Sequence, residues 1–182
     1  MKLITTGIDA GSSRAGIVTL EYNEGYRFKL LNAHHVRLDK EPYKDRDFQQ
    51  RMAALYRITV RDLKKWKPDV VVVEHIRFAG GGRNLDGYLK SARSQQTAEL
   101  AVLEALGSLP FEMLASQIRA RLRIKGKKRD DAKAEVMAMV NKTFEADLRE
   151  MGLYPLSGDQ DDLSDAAAMA LIGPALWKKA AE

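Results

Sequence analysis

One short run of residues constrains the fold more than any other feature of the chain. Residues 69–74 read DVVVVE, so four consecutive valines end in a carboxylate. β-Branched residues favour strands, and a strand without polar alternation is typical of one that is covered on both faces. Pro68, just before the run, ends helices. The run therefore predicts an α/β fold whose central strand has helices on both sides.

The residues before this run predict three consecutive antiparallel strands. Alternating apolar patterns cover residues 2–9, 15–22 and 26–37, and short turns rich in Gly, Ser and Asn connect them. Residues 45–66 follow with apolar side chains at three- and four-residue spacing, which indicates a helix. Consecutive hairpin-connected strands pair as neighbours, so these elements predict one antiparallel half of a sheet.

The rest of the chain predicts one more strand and four further helices. The strand covers residues 110–115, and the helices cover residues 86–106, 117–123, 131–149 and from about 162 onward. Ala92, Leu100, Leu103 and Leu106 share one side of the first of these helices. We expect Ser116 to cap the next helix and Pro174 to kink or end the last one. The whole pattern predicts a mixed five-stranded sheet, three antiparallel strands and then parallel ones, flanked by helices in one domain, residues 1–182.

Composition excludes several classes of protein. Cysteine is absent, which excludes disulfides, thiolate metal sites and zinc fingers. Neither a signal peptide nor a bilayer-spanning run is evident, so we expect a cytoplasmic protein with no membrane partner. The formal net charge is +5. That excess fits a polyanion partner and a generically basic protein equally well.

Carboxylates occur where strands end. Asp9 closes the first strand and Glu74 closes the valine strand. A carboxylate in apolar surroundings costs free energy unless it is paired or binds a cation. Asp9 has an alternative as a turn starter. Glu74 has an alternative as the partner of a buried arginine, although a metal or catalytic role is favoured.

A second acidic group begins the last helix. Asp162 and Asp165 are three residues apart and therefore share one helix face. The helix dipole alone explains an acidic residue at position 161 or 162, but not Asp165, which is followed by three alanines. Carboxylate oxygens suit Mg²⁺ or Mn²⁺, and two such ions about 4 Å apart can hydrolyse a phosphodiester. We therefore interpret Asp9, Glu74, Asp162 and Asp165 as the catalytic metal ligands of a nuclease, with Asp161 as a possible substitute for Asp162.

The basic charge is concentrated in residues 119–133. That window holds two acidic residues and eight basic ones, namely Arg119, Arg121, Arg123, Lys125, Lys127, Lys128, Arg129 and Lys133. A solvated surface is the simple explanation of such a run. Charge of one sign at this density favours contact with a phosphate backbone.

A glycine-rich loop, residues 80–82, forms a second candidate DNA contact. Arg77, Phe78, Arg83 and Tyr88 flank it, so arginine could touch phosphate while an aromatic ring stacks on an unpaired base. A surface loop with a tucked-in phenylalanine explains the same residues equally well. The GxxxxGK[ST] pattern is missing, so no nucleotide cofactor is expected.

Five segments in order resemble the RuvC-type Holliday junction resolvases of the ribonuclease H-like superfamily. They are GIDAGSSRAG, VVVEH, LPFEMLASQIRARL, IKGKKRDDAKAEVMAMV and DDLSDAAAMAL. The resemblance implies a ribonuclease H-like fold and makes Asp9, Glu74, Asp162 and Asp165 ligands of two Mg²⁺ or Mn²⁺ ions. It also implies that Arg119 and Lys133 lie near the active site.

The same resemblance implies a homodimer that nicks a four-way DNA junction symmetrically, because a two-fold dimer matches a two-fold substrate. Ala10 stands where the family has proline, and the loop after Glu74 is longer with Phe78 offset. Such departures would suit a phage-type member, acting in a bacterial or phage-infected cell. Alternative functions are cleavage of other branched DNA or of RNA–DNA hybrids, junction binding without cleavage, and an actin-like kinase, for which the chain is too short.

Overall fold

The computed structural model describes residues 2–23, 25, 27–77 and 85–181 of the chain. Phe78, Arg83 and the Gly80–Gly82 loop lie outside these residues. The proposed contacts of these residues with DNA therefore stay predictions.

The strands form one mixed sheet. They are β1 (Lys2–Ala10), β2 (Arg14–Asn23), β3 (Arg27–Arg37), β4 (Val70–Glu74) and β5 (Phe111–Met113), in the order β3-β2-β1-β4-β5. The pairs β1–β2 and β2–β3 are antiparallel, whereas β4 runs parallel to both β1 and β5. The predicted sheet, with three antiparallel strands followed by parallel ones, is confirmed.

Helices cover both faces of this sheet. They are α1 (Phe48–Trp66), α2 (Leu85–Leu106), α3 (Ala115–Arg121), α4 (Arg129–Thr143), α5 (Glu145–Glu150) and α6 (Asp161–Ala181). The valines of β4 alternate between two cores. Val70 and Val72 pack in a core with residues of α4 and α6, and Val71 and Val73 pack in a core with residues of α1 and α2. The prediction of a strand covered on both faces is therefore correct.

Helix α6 lies unusually close to the sheet. A Cβ atom added at Gly7 would lie 1.9 Å from the carbonyl oxygen of Ala166, and one added at Gly16 would lie 2.1 Å from that of Asp162. Only glycine therefore fits at these two strand positions. This close packing brings the acidic start of α6 directly over the ends of β1 and β2.

Pro174 lies within α6, which continues to Ala181, so the expectation that the helix ends there is wrong. Proline has no N–H to donate to the carbonyl four residues earlier. That carbonyl belongs to Ala170, and it accepts a hydrogen bond from the Thr5 hydroxyl at 2.8 Å. The sheet thus supplies the donor that the helix lacks.

Two helix boundaries and the buried side of α2 also differ from the sequence expectation. The N-cap position of α3 is Leu114, so Ser116 lies inside the helix and does not cap it. The helix predicted over 131–149 is broken at Phe144, whose ring is buried in the core. In α2 the buried residues are Ser94, Ala98, Ala101 and Val102. Leu100 and Leu103 are exposed on that helix.

Candidate active site

The four predicted carboxylates line one cavity of about 580 Å³. Asp9 and Glu74 reach it because β1 and β4 are parallel, which places their carboxyl ends at the same edge of the sheet. Asp162 and Asp165 reach it from the first turns of α6. The fold therefore brings together side chains from three distant stretches of the chain, as the sequence predicted.

Neither strand carboxylate forms an ion pair with a described residue, although Lys133 acts on Asp9 and Arg119 on Glu74 from a distance. Burial, and then the negative charges of Asp165, Glu74 and Asp162, raise the pKa of Asp9 well above its usual value. Burial and then Asp165 also raise the pKa of Glu74, against the opposing effect of Arg119 and other cations. Among the described residues, no Lys or Arg nitrogen lies within 4.0 Å of a Glu74 oxygen. The buried salt bridge considered for Glu74 is therefore absent there.

Asp161 and Asp162 share Arg14 as a neighbour but differ in their other partners. The Lys133 ammonium donates to Asp161 Oδ2 at 2.6 Å, and this bond lowers the pKa of Asp161 although burial acts to raise it. Asp162 Oδ2 lies 3.3 Å from Arg14 Nε and 3.4 Å from His35 Nε2. Burial nevertheless raises the pKa of Asp162.

Asp165 resembles the strand carboxylates more than it resembles Asp161. Its Oδ2 atom is 3.7 Å from Lys133 Nζ, a distance too long for a strong hydrogen bond. Burial raises the pKa of Asp165, with Lys133 and Arg119 opposing. One ammonium thus acts on two carboxylates and hydrogen-bonds only the nearer one.

Sequence reasoning missed two residues at this site. Arg14 begins β2 and contacts both aspartates, since its Nη2 is also 3.4 Å from Asp161 Oδ1. It additionally donates to the Asp159 carbonyl at 3.1 Å. Arg14 lies in the GIDAGSSRAG segment together with Asp9, and its positive charge in that segment could have indicated a residue of the site. Nothing in the sequence pattern of β3 marks His35.

The basic segment divides into two groups. Arg119, Arg129 and Lys133 line the cavity. The other five side chains are exposed and do not line it, namely Arg121, Arg123, Lys125, Lys127 and Lys128. The backbone N–H groups of Lys125 and Gly126 donate to Glu135 Oε2 at 2.9 and 2.8 Å, which ties the exposed group to α4. Arg77 and Tyr88 lie outside the cavity lining.

The donor set suits a hard cation. Asp161 Oδ1 and Asp162 Oδ2 are buried and accept no hydrogen bond, and carboxylate oxygens are the ligands that Mg²⁺ prefers. Across the ranges that the structure describes, no three His, Asp or Glu side chains form a ready-made metal cluster. The carboxylates thus line one cavity but are not close enough together to form a coordination shell. Their chemistry fits a divalent ion, and binding of the ion would bring them closer together.

The sheet order and the carboxylates at its strand ends define a ribonuclease H-like fold. Thermus thermophilus RuvC, solved in complex with a Holliday junction substrate, superimposes with a TM-score of 0.70. It shares 21% identity, over 98% of this chain and 96% of that one. The yeast mitochondrial Holliday junction resolvase Ydc2 gives a TM-score of 0.59 at 19% identity, over 92% and 75% of the two chains. At these identities the likeness establishes the fold.

The family follows from sequence comparison. The model of the family "Crossover junction endodeoxyribonuclease RuvC" matches residues 5–172. RuvC of Geotalea uraniireducens is 30% identical over 172 residues, which cover 94% of this chain and 86% of that protein. RuvC of Brachyspira hyodysenteriae is 25% identical over 170 residues, covering 93% and 92%. The chain belongs to the RuvC family of crossover junction endodeoxyribonucleases, and the resemblance drawn from its motifs is confirmed.

None of the helices in the described ranges has both the length and the apolar character needed to cross a bilayer.

Proposed function

We propose that this protein resolves four-way DNA junctions by two symmetric, metal-dependent cuts, and that Asp9, Glu74, Asp162 and Asp165 hold the metal. One observation carries the proposal: the four carboxylates converge on one cavity in a chain of the RuvC family. Relatives in this family carry crossover junction endodeoxyribonuclease as their name. The sheet with its two cores supports one nuclease domain over residues 1–182.

The buried carboxylates, whose pKa values are raised in spite of the neighbouring cations, support a site for two Mg²⁺ ions, for which Mn²⁺ would substitute. When bound, these ions would supply positive charge at the attacked phosphate and activate water. The protein side chains would hold these ions and the DNA phosphate in place. Asp162 is the fourth ligand in this proposal, because its pKa is raised like those of Asp9 and Asp165. Asp161 instead holds Lys133 at the cavity, where the ammonium can bind DNA phosphate.

The basic segment extends this site outward. Arg119 and Arg129 stand at the cavity with Lys133, and the exposed group continues along the surface. We assign all of them to the DNA backbone, because a continuous band of positive charge follows a phosphate chain without reading its sequence. Arg77 and Tyr88, together with Phe78 and Arg83, are assigned to the nucleotides next to the crossover on their sequence pattern alone.

A homodimer is supported by the outer face of α2. Four leucines, each between 43% and 58% exposed, repeat along one side of this helix, namely Leu85, Leu89, Leu100 and Leu103. Large exposed apolar side chains grouped on one side of a helix are the kind of surface that a partner covers. Leu100→Glu with Leu103→Glu should give a monomer in analytical ultracentrifugation. If the double variant stays dimeric, α2 is not part of the dimer interface.

The function is tested with a synthetic four-way junction carrying labelled strands. The wild type with Mg²⁺ should nick two opposed strands near the crossover and leave linear duplex uncut. If the protein also cuts linear duplex, or prefers an RNA–DNA hybrid, it is a nuclease of broader or different specificity and not a junction resolvase.

A second arm of the same assay examines the basic segment. Charge reversal at Lys127 and Lys128 should weaken junction binding and flatten its salt dependence by about 0.9 in log–log slope for each phosphate contact that is lost. Lys40→Glu with Lys44→Glu, on an exposed loop, is the matched control. An unchanged slope for the Lys127 and Lys128 variant would show that these residues do not contact the DNA backbone.

A further inference from the structure

The backbone that leaves β4 is held by a side chain from another element. Pairing between β4 and β5 ends where the His75 N–H donates to the Met113 carbonyl at 2.8 Å. The next donor, the Ile76 N–H, lies beyond the strand and donates to Gln95 Oε1 of α2 at 2.9 Å. Since a partly buried N–H needs an acceptor, Gln95 replaces the missing strand at this point.

The other end of the Gln95 amide is also engaged. Its Nε2 atom donates to Glu112 Oε2 at 3.1 Å and to Glu99 Oε1 at 2.5 Å. Glu112 Oε2 is in turn hydrogen-bonded to His75 Nδ1 at 2.6 Å. One amide therefore joins the end of β4 to β5 and to α2. We call Gln95, Glu99, Glu112 and His75 the amide clamp.

The chemistry of the amide clamp requires glutamine. A backbone N–H can only donate and an ionised carboxylate can only accept, so the residue between them needs both an acceptor and donors. Glutamate would still accept from Ile76 but would set a third negative charge against Glu99 and Glu112. Leucine, of similar size, would provide neither function.

Glu74 has no comparable support of its own. In the described part of the chain its carboxylate makes no hydrogen bond and no ion pair, although it faces the cavity. Strand pairing fixes its backbone up to Glu74, which pairs with Met113. The amide clamp fixes the two residues that follow, and Ile76 itself lines the cavity wall.

We propose that Gln95 is a positioning residue of the nuclease site, which holds the chain after Glu74 so that this carboxylate points into the cavity. The proposal rests on the proposed function, in which Glu74 is a metal ligand. Groups that orient a metal ligand typically change metal affinity or activity by roughly 10- to 100-fold when they are lost. We expect that range for loss of the amide clamp.

The test compares Gln95→Leu and Gln95→Glu with Gln49→Leu, the same substitution at an exposed site on α1. Mn²⁺ binding to the protein without DNA is measured by calorimetry, and kcat on a four-way junction is measured at low and high Mn²⁺. Gln95→Leu, which loses every contact of the amide clamp, should bind Mn²⁺ roughly 10- to 100-fold more weakly. Gln95→Glu loses only the donor to Glu99 and Glu112 and should bind Mn²⁺ more weakly than the wild type but more tightly than Gln95→Leu. High Mn²⁺ should restore most of kcat, and junction affinity without metal should stay as in the wild type. Gln49→Leu should match the wild type throughout.

Several outcomes would overturn the proposal. They are wild-type Mn²⁺ affinity in either folded Gln95 variant, or a loss of kcat that high Mn²⁺ does not restore. If Gln95→Leu does not fold, Gln95→Glu decides the matter, because it keeps the size of the side chain and removes the donor to Glu99 and Glu112 that anchors Gln95. Glu74→Gln separates this proposal from the proposed function. If that variant binds Mn²⁺ like the wild type, the ligand set is wrong; if it binds weakly while the Gln95 variants bind normally, only Gln95 loses its role.

Discussion

The carboxylates of the strands and those of α6 reach the same cavity but differ in how their charge is balanced. Asp9 and Glu74 have no Lys or Arg nitrogen within 4.0 Å among the residues that the structure describes. Asp161 and Asp162 have Lys133, Arg14 and His35 around them. The strand carboxylates therefore have no cationic side chain in direct contact, whereas Asp161 and Asp162 have such partners within the protein.

The difference follows from where each group lies. Arg119, Arg129 and Lys133 line the same cavity, but in the described part of the chain none of them forms an ion pair with Asp9 or Glu74, and burial raises the pKa of both carboxylates. The first turn of a helix favours negative charge through its dipole, and it is also open to neighbouring elements. In the proposed site the strand carboxylates would therefore serve the metal alone, while the helix carboxylates also hold basic side chains.

Asp9→Asn should have the largest effect. Without this charge the ions lose a ligand at the point where three other carboxylates converge, so we expect the cleavage rate to fall by roughly 10³-fold or more. Junction binding should persist, because one negative charge facing phosphate has been removed. Single-turnover cleavage and a gel-shift titration measure the two effects. A variant that cuts within tenfold of the wild type would mean that Asp9 is not a ligand.

Asp162→Asn and Asp161→Asn should separate the two roles within the helix group. We expect Asp162→Asn to lose roughly 100-fold in rate and to need more Mg²⁺, as a ligand would. Asp161→Asn should lose on the order of tenfold, mainly as a higher KM for the junction, because Lys133 loses its anchor at 2.6 Å. The rate is measured against both Mg²⁺ and junction concentration. The reverse pattern would make Asp161 the ligand.

The smallest effect concerns the stability of the metal-free protein. Because the pKa of Asp9 is raised, the native state binds more protons than the unfolded state between the unfolded pKa, about 3.9, and the higher native pKa. Stability from this group is therefore lost as pH rises through that window. Asp9→Asn should flatten this slope and raise the Tm at neutral pH by roughly 2–4 °C.

Thermal unfolding between pH 4 and 8, without metal, measures this slope. Asp45→Asn, on the exposed surface, serves as the matched control. Added Mg²⁺ should raise the Tm of the wild type more than that of Asp9→Asn, because ligand binding stabilises only a state that has the site. A wild type whose metal-free stability does not fall with pH would show that Asp9 is compensated after all.

Much of the fold could be predicted because its signals are local. The valine run, the hairpin turns and the helical spacings each depend on a few neighbouring residues, and all five strands lie where they were expected. The errors arose where tertiary contacts override local preference. The predicted helix is interrupted at Phe144, whose ring is buried in the core. Helix α6 continues past Pro174, where the Thr5 hydroxyl donates to the Ala170 carbonyl that proline leaves without a donor.

The sequence by itself determined which carboxylates meet, because strand ends and a three-residue helical spacing place them with little further information. Only the tertiary structure decided what surrounds them. Arg14, His35 and Lys133 reach the start of α6 from β2, β3 and α4. Such contacts join residues far apart in the chain and leave no periodic trace in it. The pairing of Lys133 with Asp161 distinguishes this residue from Asp162, for which the sequence had kept Asp161 as a substitute.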